Sequence, residues 1–288
     1  MLTACLKSIC DATKSEEREI LIVDDGSEHD IEVTEQIPEG CQIIRMTHQG
    51  VSAARNAGIE RANGRFIQFV DGDDELNPQV YAACLARIAK TKRTDLLFFR
   101  HSTTKDNPKM KGFHRWYATT YLCRRNLRGA SWGYIIREQS LKNLRFDTAL
   151  QFGEDEMFTA QLFRQSRWIL ITDSEAYYYR QHAQSTTHQQ ESHRVQRRLS
   201  DLEHVIISLK HQKDAKYKRR IAQLTMDLLY QTMRLQPQQA LLDETIDRLR
   251  GEQLFPLPIR CYTMKYFLFQ MLTRSSIGRQ LLKKICRA

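Results

Sequence analysis

The sequence predicts an α/β fold with a largely parallel sheet, and three observations lead to that expectation. From Glu19 to Phe99 short apolar runs alternate with helix-length segments, the pattern of repeated βα units. The runs Glu19–Val23 and Phe66–Val70 are brief and rich in β-branched or aromatic side chains, which suit buried strands. The segment Gly50–Ala62 carries mostly small side chains, which let a helix lie close against a sheet.

Taken in order, Leu2–Ala12 predicts a helix with Leu2, Cys5, Leu6 and Ile9 on one face. The strand Glu19–Val23 ends in Asp24-Asp25-Gly26-Ser27, and Cys41–Met46 predicts a second strand. The helix Gly50–Ala62 is expected to stop at Asn63-Gly64. Phe66–Val70 then runs into Asp71-Gly72-Asp73-Asp74-Glu75. Asn77-Pro78 reads as an N-cap with proline at the first helical position, opening a helix that buries Val80, Tyr81, Cys84, Leu85 and Ile88. Asp95–Phe99 predicts a further strand, and Trp116–Leu122 and Trp132–Ile136 short β pieces. Gly153 precedes a helix with Met157, Ala160, Leu162 and Phe163 facing inward; Trp168–Thr172 and Ala176–Tyr179 are expected as two closing strands. Beyond Gln189 the chain is polar, basic and helical, with a break at Leu254–Pro258. The division expected is therefore an α/β domain at 1–190 and a basic helical region at 191–288.

The 288 residues carry a formal net charge of +10, and its location is more informative than its size. Residues 1–190 hold 25 Lys+Arg and 25 Asp+Glu, whereas residues 191–288 hold 19 and 9. Such asymmetry suggests a module facing an anionic surface. The seven cysteines have no C-x2-C spacing, which argues against a zinc site or a disulfide framework and for a reducing compartment. No run of 18 apolar residues and no apolar stretch of signal-peptide type occurs, so a cytoplasmic location is expected.

Three acidic clusters fall at element edges: Asp24-Asp25, Asp71-Gly72-Asp73-Asp74 and Glu154-Asp155. Each by itself is compatible with a polar turn or a helix start, where carboxylates are common. Crowding of four acids after one strand is unfavourable unless a cation shares the site, since unit charges ~4 Å apart repel by about 4 kcal/mol at an effective dielectric near 20. A hard divalent ion relieves that repulsion and needs only one or two protein carboxylates when phosphate completes its shell. The end of a strand is also where open α/β sheets bind ligands.

As a set, V-D-D-G-S at Val23–Ser27, G-V-S-A-A-R-N-A-G-I at Gly50–Ile59, F-V-D-G-D-D at Phe69–Asp74 and G-E-D-E at Gly153–Glu156 resemble the inverting family 2 glycosyltransferases of the GT-A fold. The resemblance spans about residues 1–190, and Trp132 and the Tyr179–Ser185 run are further family-like details. It implies that Asp24 and Asp25 hold the nucleoside of a nucleotide-sugar donor, usually a UDP-sugar, with Arg55 nearby. It implies that Asp71 approaches the ribose and that Asp73 ligates Mg2+ or Mn2+ at the pyrophosphate. Asp155 becomes the general base, Glu154 an acceptor or orienting group, and His182 a residue of the metal or pyrophosphate side. The chain departs from the family in one respect. It begins inside the first helix, so the family's first strand is expected to be missing from the sheet.

The implied function is inverting transfer of a sugar from a nucleotide-diphosphate donor to a glycan or glycolipid acceptor, in surface polysaccharide or lipopolysaccharide synthesis. The alternative is a truncated, non-catalytic remnant or partner protein of the same fold. A nucleotidyltransferase also uses paired aspartates and metal, but the glycine-rich phosphate loop expected for one is missing from the sequence. In the last segment, 262–287, apolar residues alternate with Lys and Arg as in a basic amphipathic helix, which suits peripheral contact with the inner face of a membrane. No nucleic-acid partner is expected, because no reader motif accompanies the charge.

Overall fold

The computed structural model describes residues 1–14, 17–28, 38, 40–106, 108–127, 129–181, 192–235 and 239–287. Two compact units divide the chain: Met1–Thr120 with Arg128–Gln189, and Tyr121–Leu127 with Gln190–Ala288.

In the first unit the elements are α1 (Leu2–Ala12), β1 (Ile20–Asp24), β2 (Cys41–Arg45), α2 (Val51–Arg61), β3 (Phe66–Ile67), β4 (Glu75–Leu76), α3 (Pro78–Lys90), β5 (Leu96–Ser102) and β6 (Phe113–Tyr117), followed, after the start of α4 (Ala118–Arg124), by β7 (Tyr134–Arg137), α5 (Glu154–Gln165) and β8 (Trp168–Tyr178). The α/β class stands. The sheet, however, is mixed rather than mostly parallel. Strands β1 and β2 pair in parallel as a separate two-stranded sheet, and the larger sheet runs β3-β7-β5-β8-β4 with β6 also on β8. Within the larger sheet only β5–β8 is parallel; β3–β7, β5–β7, β4–β8 and β6–β8 are antiparallel. Two of these pairs arise from β7, which returns between β3 and β5, and the other two from β4 and β6 running against β8.

Strand β5 reads as a continuous apolar run because both its faces are covered. Leu97 and Phe99 belong to the layer formed with Val80, Tyr81, Cys84 and Ile88 of α3. Phe98 faces the other way, stacked on Tyr134 at 5.8 Å and edge-on to Phe163 of α5 at 6.0 Å. Asn77 caps α3 as its sequence suggests, its side chain accepting from the Val80 N–H at 3.2 Å. Helix α1 is seated on β4 by Ser8, whose hydroxyl accepts from Leu76 N–H at 3.0 Å and donates to the Cys5 carbonyl at 2.7 Å.

Three local expectations change. The strand expected at Phe66–Val70 pairs only at Phe66–Ile67, because beyond it the Gln68 amide, rather than a ladder, reaches the Trp132 carbonyl at 2.8 Å. The two closing strands are one, β8, since Asp173–Glu175 continue the extended backbone. Trp116–Leu122 splits into the end of β6 and the start of α4.

The second unit is helical: α6 (Ser192–His211), α7 (Lys218–Leu235), α8 (Gln239–Gly251), α9 (Met264–Thr273) and α10 (Ser276–Arg287). Val205, Ile206, Leu209, Leu228, Leu229, Met233, Leu242, Ile246 and Leu249 are all buried in it. The single amphipathic helix expected at 262–287 is two. Thr263 caps α9 by accepting from Tyr266 N–H at 3.0 Å, and Ser275 restarts the chain as α10 by accepting from Gly278 N–H at 3.0 Å.

Candidate active site

The first acidic pair lies at the end of β1. Asp24 is buried, and the Ser27 hydroxyl and N–H hold its carboxylate below the usual range, with burial opposing them. Asp25 braces the loop before α2: one oxygen accepts from Gln49 N–H at 2.8 Å, the other from Gly50 N–H at 2.8 Å, with His48 Nδ1 at 3.0 Å. Gly50 is the N-cap of α2, so a carboxylate sits where that helix leaves its first N–H groups unpaired. The turn itself needs glycine. Gly26 has φ +83°, and a Cβ there would come within 2.9 Å of the His48 backbone nitrogen.

Helix α2 then presents Arg55, whose side chain is 11% exposed, to acids from two other elements. Its Nη1 donates to Asp155 Oδ1 at 2.7 Å and Glu154 Oε1 at 3.2 Å, and its Nη2 to Asp71 Oδ1 at 3.3 Å. The guanidinium also lies over the Phe146 ring at 5.4 Å. Asn56, the next residue, fixes that ring's backbone: its amide donates to the Phe146 carbonyl at 2.9 Å and accepts from the Phe146 N–H at 2.8 Å.

Glu154 and Asp155 open α5 just after Gly153, which adopts φ +78°. The second Asp155 oxygen accepts from Ser131 N–H at 3.2 Å. Burial, with the neighbouring Asp155 charge adding to it, pushes Glu154 up to about 7, while Arg55 pulls the other way. Burial likewise raises Asp71, against the opposing charge of Arg55.

The Asp71–Asp74 turn is held from β8. The Tyr177 hydroxyl accepts from Asp71 N–H at 3.2 Å and donates to Asp74 Oδ2 at 2.8 Å, and Asp74 Oδ1 accepts from Arg180 N–H at 2.8 Å. Asp74 is buried, which lifts it to about 6. Asp73, by contrast, is exposed at the tip. Among the described residues no group of three or more His, Cys, Asp and Glu is clustered as a metal cage. His182 lies outside the described residues.

Four of the expected residues thus meet directly (Arg55, Asp71, Glu154 and Asp155), while Asp24 holds the turn after β1 and Asp25 the loop that leads into α2. Asn56, Ser131, Asp74 and Tyr177 carry roles the sequence reading passed over. Asn56 and Asp74 lie within the quoted motifs, next to the residues given roles there. Ser131 and Tyr177 have no such marker.

A family model, glycosyl transferase family 2, matches residues 1–149, just over half of the chain. The chain belongs to glycosyl transferase family 2. This family 2 chain is 30% identical over 212 residues to the uncharacterized glycosyltransferase EpsJ of Bacillus subtilis, covering 64% of this chain and 58% of EpsJ. It is 25% identical over 172 residues to the poly(ribitol-phosphate) β-N-acetylglucosaminyltransferase TarS of Staphylococcus aureus, covering 57% of this chain and 30% of TarS. The crystal structure of S. aureus TarS 1–349 in complex with UDP-GlcNAc aligns with a TM-score of 0.68 at 16% identity, over 98% of this chain and 86% of that one. That likeness shows the fold, the GT-A arrangement of a sheet flanked by helices. The family 2 chain spans less than two thirds of EpsJ's length.

Proposed function

We propose that this chain is an inverting glycosyltransferase, moving a sugar from a UDP-sugar to a hydroxyl of a glycan or glycolipid acceptor of the surface-polysaccharide type. The observation that carries the reading is the junction at Arg55, where acids from the D-G-D-D turn and from the start of α5 meet one guanidinium. TarS, an N-acetylglucosaminyltransferase solved with UDP-GlcNAc, supports a UDP-linked donor.

In this reading Asp155 is the general base. Ser131 N–H and Arg55 orient its carboxylate at the start of α5. The base takes the proton of the acceptor hydroxyl as that oxygen bonds to the anomeric carbon and the bond to the diphosphate breaks. Attack on the face opposite the leaving group inverts the configuration, so an α-linked donor gives a β-linked product. Glu154, protonated up to about neutral pH, donates a hydrogen bond to the acceptor or orients it.

The donor chemistry of the turn fits Mg2+ or Mn2+, since Asp73 offers hard carboxylate oxygens at an exposed tip and such ions take one or two carboxylates alongside phosphate and water. A bound ion would supply electrostatic stabilisation to the departing diphosphate. Asp24, Asp25 and Asp71 belong to the donor side, with Asp25 acting through the loop that starts α2.

Calorimetry with UDP and Mn2+, followed by a UDP-release assay over a panel of UDP-sugars, tests the proposal. Metal-dependent UDP binding and turnover with at least one sugar support it. A folded sample that binds neither UDP nor metal supports the non-catalytic alternative.

A further inference from the structure

Of the 11 large hydrophobic side chains that are exposed among the described residues, seven fall between Ile259 and Ile285: Ile259, Met264, Leu268, Met271, Ile277, Leu281 and Ile285. Scattered exposed apolar residues are ordinary, but such concentration marks an interaction surface.

The pattern is built on two anchored helices. Helix α9 is fixed by its other side: Tyr266, Phe269, Gln270 and Thr273 are buried, and the Gln270 amide both donates to the Arg260 carbonyl at 2.8 Å and accepts from Arg260 N–H at 3.0 Å. Its outward stripe is Met264, Leu268 and Met271, spaced i, i+4, i+7, where a surface helix ordinarily carries polar residues. In α10 the outward stripe is Ile277, Leu281 and Ile285, with Ile277 78% exposed, and Leu282 turns inward.

Along the chain, the segment that carries these stripes has charge of one sign. Residues 253–288 contain seven Lys or Arg and no Asp or Glu. Arg274 and Arg279 donate to the backbone carbonyls of Leu257 and Thr273, and Lys265 lies over the Tyr230 ring, so these contacts leave their charges unneutralised. No described helix is long and apolar enough to cross a membrane, which leaves shallow burial in the plane of an interface.

We infer that the outward faces of α9 and α10 dock on an anionic phospholipid bilayer, the apolar stripes entering the headgroup boundary and the surrounding Lys and Arg pairing with lipid phosphates. Charge complementarity selects this occupant, because a protein partner would have to be uniformly acidic as well as apolar. The inference goes beyond the transferase reading and stands on the second unit alone.

The test is sedimentation of the full chain with vesicles of phosphatidylcholine, with or without about one third phosphatidylglycerol. Binding is expected only to the anionic vesicles. Leu268→Asp with Ile277→Asp should weaken it at least tenfold, and Lys265→Gln with Lys284→Gln by roughly tenfold or more, since each basic residue near such a surface contributes about 1 kcal/mol. All four positions are exposed, so circular dichroism and UDP binding should stay as in the parent chain. Ile277→Trp should give blue-shifted emission with anionic vesicles only. No binding to anionic vesicles, or binding unchanged by the aspartate pair, overturns the inference. So does sedimentation velocity showing that these faces close a dimer that the aspartate pair disrupts.

Discussion

Arg55 Nη1 lies 2.7 Å from Asp155 Oδ1, joining residues 100 positions apart in the chain. The same guanidinium holds Glu154 and Asp71, so one largely buried cation joins three acidic side chains. Removing one partner of a buried pair typically costs about 3–5 kcal/mol, because the other is left unpaired. Arg55→Met should therefore lower the unfolding midpoint by several degrees and abolish turnover. Arg55→Lys should recover part of the stability and little activity, since one ammonium cannot reach acids on two sides as the planar fork does. Thermal melts and UDP release on both variants check this. Parent-like stability in Arg55→Met would show that the junction is not a buried network.

Asp155→Asn keeps the size of the side chain and an acceptor for Ser131 N–H but removes the base. Turnover should drop by about 10²–10⁴-fold, the usual contribution of a general base, with UDP affinity within a few-fold of the parent. Comparable loss of UDP affinity would reassign Asp155 to donor binding.

Asp73 is exposed at the tip of its turn, so Asp73→Ala should leave the fold intact. Titrations with UDP in Mn2+ and in EDTA should give weakened binding in Mn2+ only. Equal binding by parent and variant in Mn2+ removes Asp73 as the metal ligand.

Tyr177→Phe deletes the hydroxyl shared by Asp71 N–H and Asp74 Oδ2 but keeps the ring stacked on Trp132 at 4.6 Å. The loss leaves a buried carboxylate oxygen short of a donor, at a cost of about 1–3 kcal/mol. The Michaelis constant for donor should rise more than turnover falls, because the turn is positioned rather than chemically altered. An unchanged melting curve would place the turn's rigidity elsewhere.

Glu154 keeps its proton in the folded state up to about 7, raised by burial, whereas an unfolded chain loses it near 4.3. Between these values the native state binds more protons than the unfolded one, so this group's contribution is fully present below the lower value and is lost as pH rises through the upper. Glu154→Gln should flatten that part of the stability profile, measured by thermal melts from pH 5 to 8. It should also remove any limb near pH 7 from the rate profile.

Element order and the position of the acidic turns could be read locally. Asn77-Pro78 capped α3 where its side chains require, Gly26 marked the turn after β1, and the small residues of Gly50–Ala62 marked α2. Local signals misled where a neighbouring element decided the outcome. β3 stops short because the Gln68 side chain meets the Trp132 carbonyl.

Periodicity, capping chemistry and motif spacing depend on neighbours along the chain, so the α/β class, most helices and membership of family 2 followed from the residue order alone. Which acid meets which base does not. A charged side chain removed from water must find a counter-charge through space, and only the packing of α2 and α5 beside the β4 turn gave Arg55 its three partners. Packing likewise turned Asp25 into a brace for α2 and assigned Tyr177 to the D-G-D-D turn.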